Sequence, residues 1–184
     1  YGLRDVVVAG APEAEVKTEA ALPSAIGGAG ARYLESTMLP NERVGLSSWS
    51  ASLLAVVDAM NPRTTRSAER IVQVIGGVGD PRAQVQATRL ADRLAQVTGA
   101  DVHYFNAPGV VSSQDVRDSL LSDPQIARVR EEWTDLTVAL VGIGSVEPSA
   151  LLVSSGNTLP DRDLRALAEH GVPFESHIYL LGPH

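Results

Sequence analysis

Four of the six residues from Ser47 to Ser52 are serine, in the stretch "SSWSAS" between an apolar run and an apolar helical pattern. Hydroxyls at such a junction allow three kinds of chemistry. They can cap the helix, supply a nucleophile, or cradle an anion beside the free N–H groups of the first turn. The nucleophile reading has little company. Ser48 lies outside any G-x-S-x-G turn, and His103, His170, His177 and His184 are scattered with no metal-ligand spacing. Asp58, Asp80, Asp101, Asp115 and Glu147 could act as bases, but most fall where a cap or a solvated face would put them. Asp80 is best placed, and before Pro81 its default role is a helix N-cap.

Further loops carry the same signature. "GGVGDP" spans 76–81, "NAPGVVSS" 106–113, "GIGSVEPS" 142–149 and "SSGNT" 154–158. Each is rich in glycine or hydroxyls, and three of the loops clearly open onto a helical pattern. Small residues let a charged group approach the backbone closely, and several such loops on one edge suit a phosphate-bearing small molecule. "GGVGD" is not a dinucleotide fingerprint, because the G-x-G-x-x-G spacing fails; it also reads as an ordinary strand-to-helix turn.

The elements that must position these loops alternate in type. Apolar runs at 5–10, 43–47, 70–77, 101–108, 136–145 and 176–182 read as strands, with 5–10 buried and 136–145 central. Helical patterns cover 13–39, 49–60, 80–99, 112–133 in two pieces, and 159–171. Val16, Ala20, Ile26 and Leu34 are the apolar positions of the first. Gly27, Gly28 and Gly30 make it a thin, close-packed or interrupted helix. Val85, Leu90, Leu94 and Val97 form the buried side of the third. Continuous apolar strands between helices mean a parallel sheet covered on both faces, an α/β fold. In such a sheet ligands bind beyond the carboxyl ends of the strands, where all these loops lie.

Bulk properties narrow the classes. The 184 residues suit one domain; hydrophobic residues make up 44%, aromatics 4%, and the net charge is -7. Fifteen basic residues include one lysine, Lys17, and they form no cluster, so the chain by itself is a poor ligand for nucleic acid. Cysteine is absent, which excludes disulfides and thiolate metal sites and favours a cytoplasmic location. No metal and no cofactor is expected. No apolar stretch reaches the roughly 18–20 residues of a membrane span. The start, "YGLRDVVVAG", is unlike a signal peptide and suggests a domain with chain upstream of it.

Four blocks carry a family resemblance: "RVGLSSWSASLLAVVDAMNP", "RIVQVIGGVGDPRAQVQATRLADRLAQVTGADVHYFNAPGVV", "DSLLSDPQIARV" and "LTVALVGIGSVEPSALLVSSGNTL". Their order and spacing resemble the effector-binding domain of the SorC family of bacterial transcriptional regulators of sugar metabolism, over roughly residues 1 to 171. The resemblance implies a Rossmann-like three-layer α/β/α sandwich with a mostly parallel sheet, like that of sugar-phosphate isomerases and deaminases. It implies a phosphorylated sugar as effector and a homodimer or homotetramer. Operator DNA would be bound through an N-terminal helix-turn-helix domain that this chain lacks.

By the same resemblance the loop Ser47, Ser48, Trp49, Ser50 holds phosphate. Gly76, Gly77 and Gly79, the helix near Gln84, and the loop Ala107, Pro108 and Gly109 line the sugar pocket, and Gly142 to Gly144 closes that edge. The family pattern departs after Gly171, so part of its domain is expected to be missing or altered here. A basic phosphate ligand from that region has no counterpart; Arg66, Arg70 and Arg82 are candidate substitutes, and each reads equally well as a surface residue. The rival reading is an active isomerase or deaminase of the same fold, with Asp80 as the base to test.

Overall fold

The computed structural model describes residues 4–10, 21–48, 50–76, 81–109 and 111–142, together with Arg165 and Glu169, which are helical. Helix α1 spans Ala21–Thr37, strand β1 Arg43–Leu46, helix α2 Ala51–Ala59, strand β2 Arg70–Gln73 and helix α3 Pro81–Thr98. Strand β3 follows at Asp101–His103, then helix α4 at Gln114–Leu121 and helix α5 at Pro124–Glu131. A single 3-10 turn at Glu132–Asp135 leads into strand β4, Val138–Leu140.

The four strands form one parallel sheet in the order β3-β2-β1-β4. Val44 pairs with Ile71 on one side and Val138 on the other, and Ile71 pairs with Val102. Alternation along β1 shows the two faces. Val44 and Leu46 enter the main core with Ile71, Val57 of α2, Met38, and Leu90, Leu94 and Val97 of α3. Gly45 turns the other way, where a side chain would collide with Leu136. On that face Phe105, Ala107 and Ile126 form a second cluster with Leu120, Val129 and Trp133. Helices therefore cover the sheet on both sides, as the apolar strands predict.

Helix boundaries follow local chemistry. The Ser113 hydroxyl accepts from the Val116 amide, and the Asp123 carboxylate accepts from Gln125 and Ile126, with Pro124 as the first residue of α5. Gly99 ends α3 in the left-handed region, φ 70. The α1 glycines mark a close approach. A Cβ on Gly27 would lie 2.6 Å from the Ala55 carbonyl oxygen, and one on Gly30 2.6 Å from Val56 Cγ2. The thin-helix expectation thus has a cause: α1 lies directly on α2.

Several expectations need correction. Residues 5–10 pair with no described strand, and Val6, Val7 and Val8 are 68%, 54% and 85% exposed. A β-branched run favours extended backbone, but a strand also needs a partner ladder, and no described strand supplies one. Strand β4 is not central among the described residues; β1 and β2 are interior. Ile26 is exposed rather than buried. All four strands end sooner than their apolar runs, because the chain leaves the sheet to build the rim loops. The last strand expected at 176–182, and Val16, Ala20 and the Val85 side chain, lie outside the described residues.

Candidate functional site

The strand order fixes where a ligand can enter. From β1 the chain proceeds to β2 and β3 on one side, and β4 then joins β1 on the other. The direction of strand order therefore reverses between β1 and β4, the switch point at which open parallel sheets bind ligands. Ser47 and Ser48 follow β1 there, and Gly142 follows β4.

Of the four serines in this stretch, Ser52 is exposed on α2 and the other three have distinct roles. Ser47 is fully buried; its amide donates to the Leu140 carbonyl at 3.0 Å, tying the two strand ends together. Its hydroxyl is buried with no hydrogen-bond partner among the described residues. A buried hydroxyl without a partner costs on the order of 1–3 kcal/mol, so a group that completes it is favoured. Ser48 is 4% exposed and accepts from Gln73 Nε2 at 3.1 Å. Ser50 is the helix cap, accepting from the Leu53 amide at 3.2 Å. The capping reading therefore holds for Ser50, and Ser47 and Ser48 are left to other tasks.

The loops after β2 and β3 touch. A Cβ on Gly76 would sit 1.8 Å from the Ala107 carbonyl oxygen and 3.2 Å from the Pro108 carbonyl carbon. Only glycine lets these loops meet, which explains the residue type at 76. Ala107 is buried in the Phe105–Ile126 cluster, Pro108 is exposed and Gly142 is half-buried. Trp49, Gly77, Gly79, Asp80 and Gly144 lie outside the described residues; Gln84 belongs to α3, but its side chain is not described.

Gln73 joins these parts, and sequence reasoning gave it no role. It is buried at the end of β2, with its amide between Ser48 and the Phe105 N–H, which donates to Gln73 Oε1 at 3.2 Å. Its backbone carbonyl accepts from Trp133 Nε1 at 3.1 Å, and the Trp133 ring leans on Phe105 at 4.9 Å between centroids. The available signal was a lone polar residue inside the apolar run "RIVQVIGG".

Two of the three basic substitutes are elsewhere. Arg66 bonds Asp101 at 2.6 Å and the carbonyl oxygens of Ala68 and Glu69. Arg70 pairs with Glu69 and with Glu132, the latter at 3.3 Å, and Glu132 also meets His103 at 2.6 Å. Arg70 and Asp101 are the first residues of their strands, so these ion pairs lie at the opposite end of the sheet from the rim. The Arg82 side chain is not described. Arg66 holds the Asp101 carboxyl below its usual range, and Arg70 does the same for Glu69. Among the described residues no group of three or more His, Asp or Glu is placed to hold a metal, and no helix is long and apolar enough to cross a membrane.

Comparisons with known proteins agree with this geometry. The family model described as "Putative sugar-binding domain" matches residues 1–173. The deoxyribonucleoside regulator of Bacillus subtilis (strain 168) is 27% identical over 127 residues, 69% of this chain and 40% of the relative. The sorbitol operon regulator of Klebsiella pneumoniae is 26% identical over 146 residues, 79% of this chain and 45% of the relative. This chain thus spans less than half the length of either regulator. The crystal structure of the full-length sorbitol operon regulator SorC from Klebsiella pneumoniae superposes with a TM-score of 0.76 at 23% identity, covering 92% of this chain and 54% of that one. With the parallel sheet, its switch point and the match over residues 1–173 in place, the chain belongs to the sugar-binding domain family of SorC-type transcriptional regulators.

Proposed function

We propose that this chain is the effector-sensing part of a transcriptional regulator of carbohydrate genes, and that its effector is a phosphorylated sugar. The observation that carries the reading is the buried, unsatisfied Ser47 hydroxyl beside the capped start of α2, at the switch point of the sheet. Hydroxyl and helix-start donors at the rim suit a dianion held by hydrogen bonds. Gly76 and Ala107 bring the neighbouring loops within reach of the attached sugar.

Regulation follows from linkage. An effector that favours one arrangement of a homodimer or homotetramer shifts its affinity for operator DNA, bound through a separate domain, by the same coupling free energy. Binding and release suffice for such a device, so no covalent step is assigned. A cytoplasmic location accords with that role.

The experiment is thermal unfolding with inorganic phosphate and a panel of phosphorylated hexoses and pentoses. One panel member at about a hundred times its Kd should stabilise the chain by about 2.7 kcal/mol. Ser48→Glu should abolish the shift, because the added carboxylate repels the phosphate. Unchanged unfolding across the whole panel would overturn the reading.

A further inference from the structure

The hydroxyl of Ser48 has two sides, and one of them is assigned by its neighbour. Gln73 carries a primary amide whose two ends differ: the oxygen only accepts, and the nitrogen only donates. The Phe105 backbone N–H lies 3.2 Å from one end. An N–H can be met only by an acceptor, so that end is Oε1, and Nε2 necessarily faces Ser48. At 3.1 Å Nε2 donates to Ser48 Oγ and occupies a lone pair of that oxygen. The Ser48 proton is then not needed for this bond and is free to point elsewhere.

Gln73 is held firmly enough to enforce this polarity. It is 4% exposed, its backbone carbonyl accepts from Trp133 Nε1 at 3.1 Å, and Trp133 packs on Phe105. The chain Phe105 N–H to Gln73 Oε1, and Gln73 Nε2 to Ser48 Oγ, therefore runs in one direction from β3 to the rim. Resting on the phosphorylated-sugar reading above, we infer that Gln73 is a positioning residue for effector recognition. It takes no part in ligand contact, but fixes Ser48 as a hydrogen-bond donor toward an anion at the rim.

The test reverses the polarity. In Gln73→Glu the ionised carboxyl accepts from both Phe105 N–H and Ser48 O–H, drawing the serine proton away from the rim and adding negative charge. When protonated, the same carboxyl donates to Ser48 Oγ and accepts from Phe105, restoring the original direction. The probes are glucose 6-phosphate and ribose 5-phosphate at about pH 8, with inorganic phosphate as a third arm. The pH comparison uses the sulfate ester of whichever sugar binds, because a sulfate monoester keeps its charge down to about pH 5. Burial at position 73 holds a carboxyl neutral to higher pH, so Gln73→Glu should weaken binding by about tenfold or more at about pH 8, with most of the loss recovered at about pH 5. A merely structural defect would show no such recovery.

Gln73→Met, which keeps size and removes polarity, covers the case in which the buried carboxyl prevents folding. Its effect on binding should vanish in a Ser48→Ala background, because the role acts through Ser48. Binding by Gln73→Met equal to wild type, or an undiminished loss in the Ser48→Ala background, would overturn the inference while leaving the effector reading intact. A wild-type chain that binds no member of the phosphorylated hexose and pentose panel would remove both.

Discussion

Gly76 gives a sharp local test. Its missing side chain is the space in which the Ala107 carbonyl sits, with 1.8 Å to a would-be Cβ. Backbone is in the way rather than a flexible side-chain tip, so Gly76→Ala should cost about 1–3 kcal/mol in urea unfolding and weaken effector binding by parting the two loops. Tyr104 offers a pH test. Its phenol donates to Asp92 on α3, and that bond, with burial, pushes its pKa up to about 12. The folded state thus holds the phenolic proton more tightly than the unfolded chain, whose value is about 10. The stabilisation is complete below about pH 10 and is lost as pH rises toward 12. Tyr104→Phe should flatten that alkaline slope in denaturation curves measured between those limits.

Helix α1 makes the same case for a whole element. Gly27 and Gly28 are adjacent, yet they face different surroundings. A Cβ on Gly27 meets the Ala55 carbonyl at 2.6 Å, whereas one on Gly28 finds only the end of Arg32 at 3.5 Å. Both substitutions to alanine gain about 1 kcal/mol of helix propensity. Gly28→Ala should therefore raise the unfolding midpoint, while Gly27→Ala should lower it by forcing α1 off α2. Sequence alone placed this packing without its partner: three glycines in a helical pattern announce a close approach but do not say to what. Helix ends such as Asp123-Pro124 and Gly99 are legible because they act within a few residues of themselves, whereas the Ser113 cap is seen only in the structure. Strand ends were not, since "VIGG" is as apolar as "RIVQ" and differs only in lying past the last ladder bond. Residues 5–10 show the same limit: extended preference is local, but pairing is decided elsewhere.

For the molecule as a whole, the core between the sheet and α1–α3 carries stability and the rim carries recognition. Leu94 is fully buried in that core, and Leu94→Ala should cost about 2–5 kcal/mol, whereas Val116, 42% exposed on α4, should tolerate alanine within about 0.5 kcal/mol. The rim was legible as a set of loops, because parallel topology sends every strand's carboxyl end to one edge. What joins the loops was not: Gln73 looked like one more strand residue, and its direction of donation depends on Phe105, 32 positions away.

The Arg43–Thr137 contact at the start of β1 and β4 spans 94 positions of chain, and the Ser47–Leu140 bond closes the same pair at the rim. On a ribosome the first serine is made long before its strand partner, so the pocket's floor is assembled late, after α2 and α3 have been synthesised. Closing so wide a loop is slow compared with winding a helix. In stopped-flow refolding, helical ellipticity should return before the capacity to capture the metabolite, and the interval between the two is the time the chain takes to bring its distant halves together.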